Sequence, residues 1–96
     1  MERKRKIVWS PSAVQDLKAG FDYISEDNQT AARAWVKEIL SSAEKRAAFP
    51  HLGRLIPEIG KSRYREMIVG EYRIFHEIRG NEILIFRILH SKRLFL

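Results

Sequence analysis

Arg73 and His90 are of the residue types that cut phosphodiester bonds without a metal. A ribose 2′-hydroxyl attacking its own phosphate needs a proton acceptor, a cation for the developing charge and a donor for the leaving oxygen. Histidine moves protons near neutrality because its pKa lies there. Arginine holds two phosphorane oxygens in a planar fork and stays charged. A structural reading stands beside this one: His90 ends a strand and bonds backbone or Glu71, while Arg73 pairs with Glu66 or Glu71. The remaining candidates read as structural. His51 is a solvated loop residue, His76 points to the core side, and Trp9 and Trp35 are core fillers rather than base-stacking platforms. Glu58 follows Pro57 and serves as a general base or, more simply, in a turn or cap. The three histidines lack ligand spacing and there is no cysteine, so neither a metal site, a disulfide nor a thiolate nucleophile is expected.

Positioning Arg73 and His90 is the task of a hairpin. From Arg63 onward the apolar period is two, giving strands at about 63–69, 72–79 and 83–90 separated by Gly70-Glu71 and Gly80-Asn81. A two-residue turn at Gly80-Asn81 places Arg79 opposite Glu82 and Glu71 opposite His90, with Arg73 diagonal to His90. One face then collects Tyr72, Ile74, His76, Ile78, Ile83, Ile85, Arg87 and Leu89 and is assigned to the helices; the other, with Arg73, Phe75, Phe86 and His90, is left partly open.

The elements before it are equally marked. Lys6-Ile7-Val8-Trp9 reads as a strand, and Ser10-Pro11 caps a helix whose apolar face is Val14, Leu17, Phe21 and Ile24. Gly20 weakens that helix or permits close packing. Asn28 caps a second helix over about Thr30 to Ala48, striped by Ala32, Trp35, Ile39 and Ala43. Residues 49–60 hold two prolines and two glycines and form an ordered loop with apolar anchors. The order β-α-α-β-β-β predicts one α+β domain over residues 1–96, two-layered, its helical hairpin on one face of a roughly four-stranded, mainly antiparallel sheet.

Length and composition agree with one globular domain: 96 residues, 45% hydrophobic and 31% charged. No apolar run reaches the ~18 residues of a membrane span, and the basic N-terminus leads into a strand rather than a leader, so a cytoplasmic protein is expected. The net charge of +6 is uneven: residues 1–9 carry +3, 10–53 carry −1 and 54–96 carry +4. Such a surface attracts polyanions or an acidic protein.

An ordered series of short motifs covers nearly the whole chain: Trp9-Ser10-Pro11-Ser12-Ala13, Asp16-Leu17, Phe49-Pro50-His51-Leu52-Gly53-Arg54, Pro57-Glu58, Tyr64-Arg65-Glu66, Tyr72-Arg73-Ile74-Phe75 and Ile88-Leu89-His90-Ser91-Lys92-Arg93. It resembles the RelE/ParE superfamily, the toxins of type II toxin–antitoxin modules, and the FP-x-x-GR, PE and H-x-x-R segments are more similar to the ParE branch. The resemblance implies a cognate antitoxin as partner, a hetero-oligomer with it, DNA gyrase as target, no cofactor, and a target-binding set of Arg54, Arg65, Arg73, Lys92 and Arg93. The alternative it implies is a RelE- or YoeB-like endonuclease acting on ribosome-bound mRNA, with Arg73 and His90 catalytic. Against RelE chemistry, Met67 stands where that branch has its second functional lysine.

Overall fold

The computed structural model describes residues 4–92, arranged as β1 (Lys6–Trp9), α1 (Pro11–Ser25), α2 (Gln29–Ala48), β2 (Arg54–Leu55), β3 (Tyr64–Val69), β4 (Tyr72–Arg79) and β5 (Glu82–His90). The predicted order holds with one addition. The two-residue β2 lies inside the proline- and glycine-rich segment, too short to show a period, and makes the sheet five-stranded rather than four.

Both helices start where their caps dictate. Ser10 Oγ accepts from the Ala13 amide at 3.0 Å with proline in the first turn, and Asn28 Oδ1 accepts from the Ala31 amide at 3.0 Å. Gly20 is buried where α1 meets α2. A Cβ there would stand 2.3 Å from the Trp35 ring, so close packing is what this glycine serves.

The sheet order is β1-β5-β4-β3-β2, with β1 parallel to β5 and the remaining pairs antiparallel. The helices cover one face. Ala13, Trp35, Ile39 and Ala43 pack there on Met67, Val69, Ile74, Ile83, Ile85 and Ile88. The opposite face is not open as the sequence suggests. The segment between α2 and β3 crosses it and buries a second apolar group, Ile56, Phe75 and Leu89, with Ile59, Tyr64 and Phe86 against it.

The β4–β5 hairpin follows the predicted register from Arg79↔Glu82 to His76↔Ile85 and then shifts, pairing Phe75 with Arg87 and leaving Phe86 as the extra residue of a β-bulge. Beyond the bulge the parity of β5 reverses. Ile88 joins the helix-side core, and Leu89, expected on that side, packs on the other. Tyr72 replaces Glu71 as the residue opposite His90. The start of α1 holds the bulge: the Ser10 amide donates to Ile85 O at 2.9 Å and Ser10 Oγ to Phe86 O at 3.1 Å. Asp16 Oδ2 accepts from the Ile88 amide at 2.9 Å and from Arg87 Nε at 2.8 Å.

Candidate functional site

The bulge decides where the two residues singled out for chemistry go. Arg73 pairs with Leu89 and Tyr72 with His90. Cross-strand partners share a face and successive residues alternate. Arg73 therefore stands on the face covered by the 54–60 segment, and His90 on the helix face, where its ring meets Tyr72 at 5.4 Å. The diagonal pair that the unbroken register implies is not assembled.

Arg73 is 5% exposed, a correction to the open cation expected from sequence. Its Nη1 and Nη2 donate to the two Glu58 oxygens at 3.0 and 2.8 Å, a bidentate fork, and Nε donates to Glu66 Oε1 at 2.7 Å. The guanidinium carbon lies 4.8 Å from the Phe75 ring centre. Arg54 binds the second oxygen of the fully buried Glu66. The hydrogen bonds it donates to Glu58, then those to Glu66, hold Arg73 charged well above its ordinary range despite its burial. Two arginines and two carboxylates cancel formally, so the cluster offers little net charge to a phosphate. Glu66 was legible as a partner by sequence proximity; Glu58 was not, because nothing periodic shows that its loop crosses the sheet.

His90 borders a groove of about 500 Å³ between α1 and the ends of β4 and β5, together with Asp16, Tyr23, Tyr72, Arg87 and Lys92. Its Nδ1 accepts from the Lys92 amide at 3.3 Å, and its Nε2 lies 3.9 Å from Glu71. Tyr72 is wedged between His90 and Trp35, whose ring centre is 4.8 Å away. Burial pushes the Tyr72 phenol above its usual range, helped by Tyr23 and Glu71. Arg87, three residues before His90, is engaged by Asp16. Asp16, which accepts from Arg87 and the Ile88 amide, has no role of its own in the sequence reading beyond its motif, although its place was legible. It lies three residues after Ala13 and four before Gly20, both buried, and so on the sheet side of α1.

The other expected positions are scattered. Arg54 has an exposed side chain tied to Glu66. Arg65 turns back to the Ser62 carbonyl at 2.9 Å and the Gly53 carbonyl at 3.3 Å. Lys92 is exposed beside His90, and Arg93 lies outside the described residues. His76 is fully buried as expected; its Nε2 donates to Pro50 O at 2.8 Å, while Nδ1 has no partner among the described residues. Trp35 is a core residue, as its place on the α2 stripe predicts.

A family model described as the ParE toxin of type II toxin–antitoxin systems matches residues 7–95. Toxin RelE2 of Caulobacter vibrioides is 31% identical over 90 residues, spanning 93% of this chain and 98% of that protein. The fold is similar to that of the chromosomal ParDE toxin–antitoxin system from P. aeruginosa, at TM-score 0.74 and 21% identity over 93% of this chain and 98% of that one. It is also similar, at TM-score 0.58 and 14% identity, to the RelBE2 toxin–antitoxin complex from Mycobacterium tuberculosis, over 92% of this chain and 99% of that one.

Proposed function

The chain belongs to the ParE toxin family of type II toxin–antitoxin systems, from which we infer that it arrests growth by binding DNA gyrase and blocking its cycle. A cognate antitoxin is its partner. We read the antitoxin as presenting an acidic amphipathic segment, since the toxin carries +6 and exposes apolar side chains on its helices. The site of action is the cytoplasm, where gyrase works; among the described residues no helix is long and apolar enough to cross a membrane.

The observation that favours gyrase over mRNA is the separation of Arg73 from His90. Metal-free cleavage requires a cation and a proton carrier converging on one phosphate. Here they lie on opposite faces of the sheet, and the cation is engaged by Glu58 and Glu66. The experiment is induction of the chain alone, with supercoiling and message integrity followed in parallel, together with purified gyrase in vitro. Gyrase inhibition predicts loss of supercoiling, DNA breaks and filamentous cells while translation initially continues, and it predicts that His90→Ala remains toxic. Codon-phased cuts in ribosome-bound mRNA, abolished by His90→Ala, would establish the endonuclease reading instead.

A further inference from the structure

The charge of the molecule is concentrated at one end of the sheet. Where β1 and β5 begin, β4 ends and the chain enters β3, five cations form a rim: Arg5, Lys6, Lys61, Arg63 and Arg79. Backbone pairing brings them together. Lys6 and Arg79 both lie opposite Glu82, Arg5 Nε donates to Gly80 O at 3.0 Å, and the Ile78 amide donates to Arg63 O at 2.8 Å. Two carboxylates share the rim, Glu77 and Glu82, so it carries +3 where the whole chain carries +6.

The cations are available. Glu77 is nearly buried beneath Arg63 and Arg79, at 3.8 and 2.8 Å, while those two side chains stay 60% and 58% exposed. Lys6 and Lys61 are exposed, and Arg5, Lys6 and Lys61 form no ion pair among the described residues. An acidic amphipathic protein needs apolar anchors, and the large exposed apolar residues nearest the rim, Phe49 and Leu52, belong to the segment after α2 rather than to the strand ends that carry the cations. A single strand needs aromatic platforms, and the one ring present, Tyr64, has the Arg63 guanidinium over it at 5.1 Å. What remains is a cationic row across the ends of four strands, about 14 Å at ~4.8 Å per strand. Along a B-form duplex that distance spans about four phosphates of one strand, at ~3.4 Å each.

We propose that this rim binds the sugar–phosphate backbone of duplex DNA without regard to base sequence, so that the toxin holds DNA as well as protein. The binding is measured without gyrase or antitoxin, so it stands or fails apart from the target inferred above.

The test is fluorescence anisotropy of the purified full chain with a labelled mixed-sequence duplex of about 20 base pairs, titrated from about 50 to about 200 mM salt. About four phosphate contacts give a log–log salt slope of about −3.5. Arg63→Glu with Arg79→Glu, and separately Lys6→Glu with Lys61→Glu, should each weaken binding by about tenfold or more at the lower salt. The charge-matched pair Arg33→Glu and Lys37→Glu should weaken it by less than about threefold, since both lie in the first half of α2, away from the helix end that adjoins Arg5. If the arginine pair fails to fold, the lysine pair decides, because neither lysine has an ion-pair partner to lose among the described residues. An absent salt slope, an equal loss in the α2 control, or tighter binding of single-stranded DNA or poly-glutamate than of the duplex would overturn the proposal.

Discussion

At the scale of single residues, the fold depends most on a charge it hides. Arg73 is gripped by Glu58 on one side and Glu66 on the other, and Glu66 is itself wholly inside. Removing one member of a buried pair leaves the other uncompensated, so Arg73→Ala should cost about 3–5 kcal/mol in a urea unfolding curve. Arg73→Lys should recover less than half of that, because an ammonium cannot make the fork. Arg54→Ala, whose side chain is 64% exposed, should cost about 1 kcal/mol or less. Equal losses at Arg54 and Arg73 would contradict this division. His76 sets a pH limit. Burial pushes it below its ordinary 6.5, against the Pro50 hydrogen bond, with Arg46, Arg65 and His51 adding in the same sense as burial. The unfolded chain takes up this proton first. The His76 contribution is therefore fully present above about pH 6.5 and declines as pH falls from there toward the lowered folded value. His76→Gln should flatten the loss of stability between about pH 7 and pH 5; an unchanged pH profile would show that His76 is not its source.

At the scale of elements, most of the fold was legible, and the exception is instructive. Caps at Ser10 and Asn28, the α2 stripe and the Gly80-Asn81 turn each name their element through local chemistry. The bulge at Phe86 does not. Residues 83–86 and 88–89 are all apolar, so a period of two cannot report the change of parity, and every face assignment beyond it shifts with it. The signal lay elsewhere, in Asp16, an acid on the buried side of α1 that needs donors from the sheet. Asp16→Ala removes a charge-assisted bond to the Ile88 amide and another to Arg87, and should cost about 1.5–3 kcal/mol. The specific mark is faster hydrogen exchange at the Ile88 amide than at Ile74 across the strand; uniform acceleration would mean Asp16 supports the fold without holding the bulge. Gly20→Ala presses a methyl into the Trp35 ring and should cost about 1–3 kcal/mol by overpacking. A neutral effect in thermal unfolding would show that the helices separate freely.

At the scale of the whole molecule, the two kinds of surface a toxin needs are kept apart. The cationic rim lies at one end of the sheet, and the apolar exposure most suited to a helical partner lies on the outside of the hairpin. A hollow of about 230 Å³ opens there between Leu17 and Phe21 of α1 and Val36 of α2. Val14 and Leu40, one turn further along each helix, are 43% and 46% exposed. Lys18 and Asp22 both sit in the wall of that hollow, so an amphipathic segment finds an apolar seat there flanked by one cation and one carboxylate. Fully burying a Val or Leu contributes about 1.5–3 kcal/mol, and about 1.4 kcal/mol is a factor of ten in affinity. Val14→Asp combined with Leu40→Asp should therefore weaken the cognate antitoxin by about tenfold or more. Stability should change little, because both positions already face solvent. In cells the doubly substituted toxin should still arrest growth, yet escape rescue by an antitoxin level that neutralises the wild type. Full rescue, with unchanged affinity in calorimetry, would move the antitoxin's seat off the hairpin and back toward the sheet.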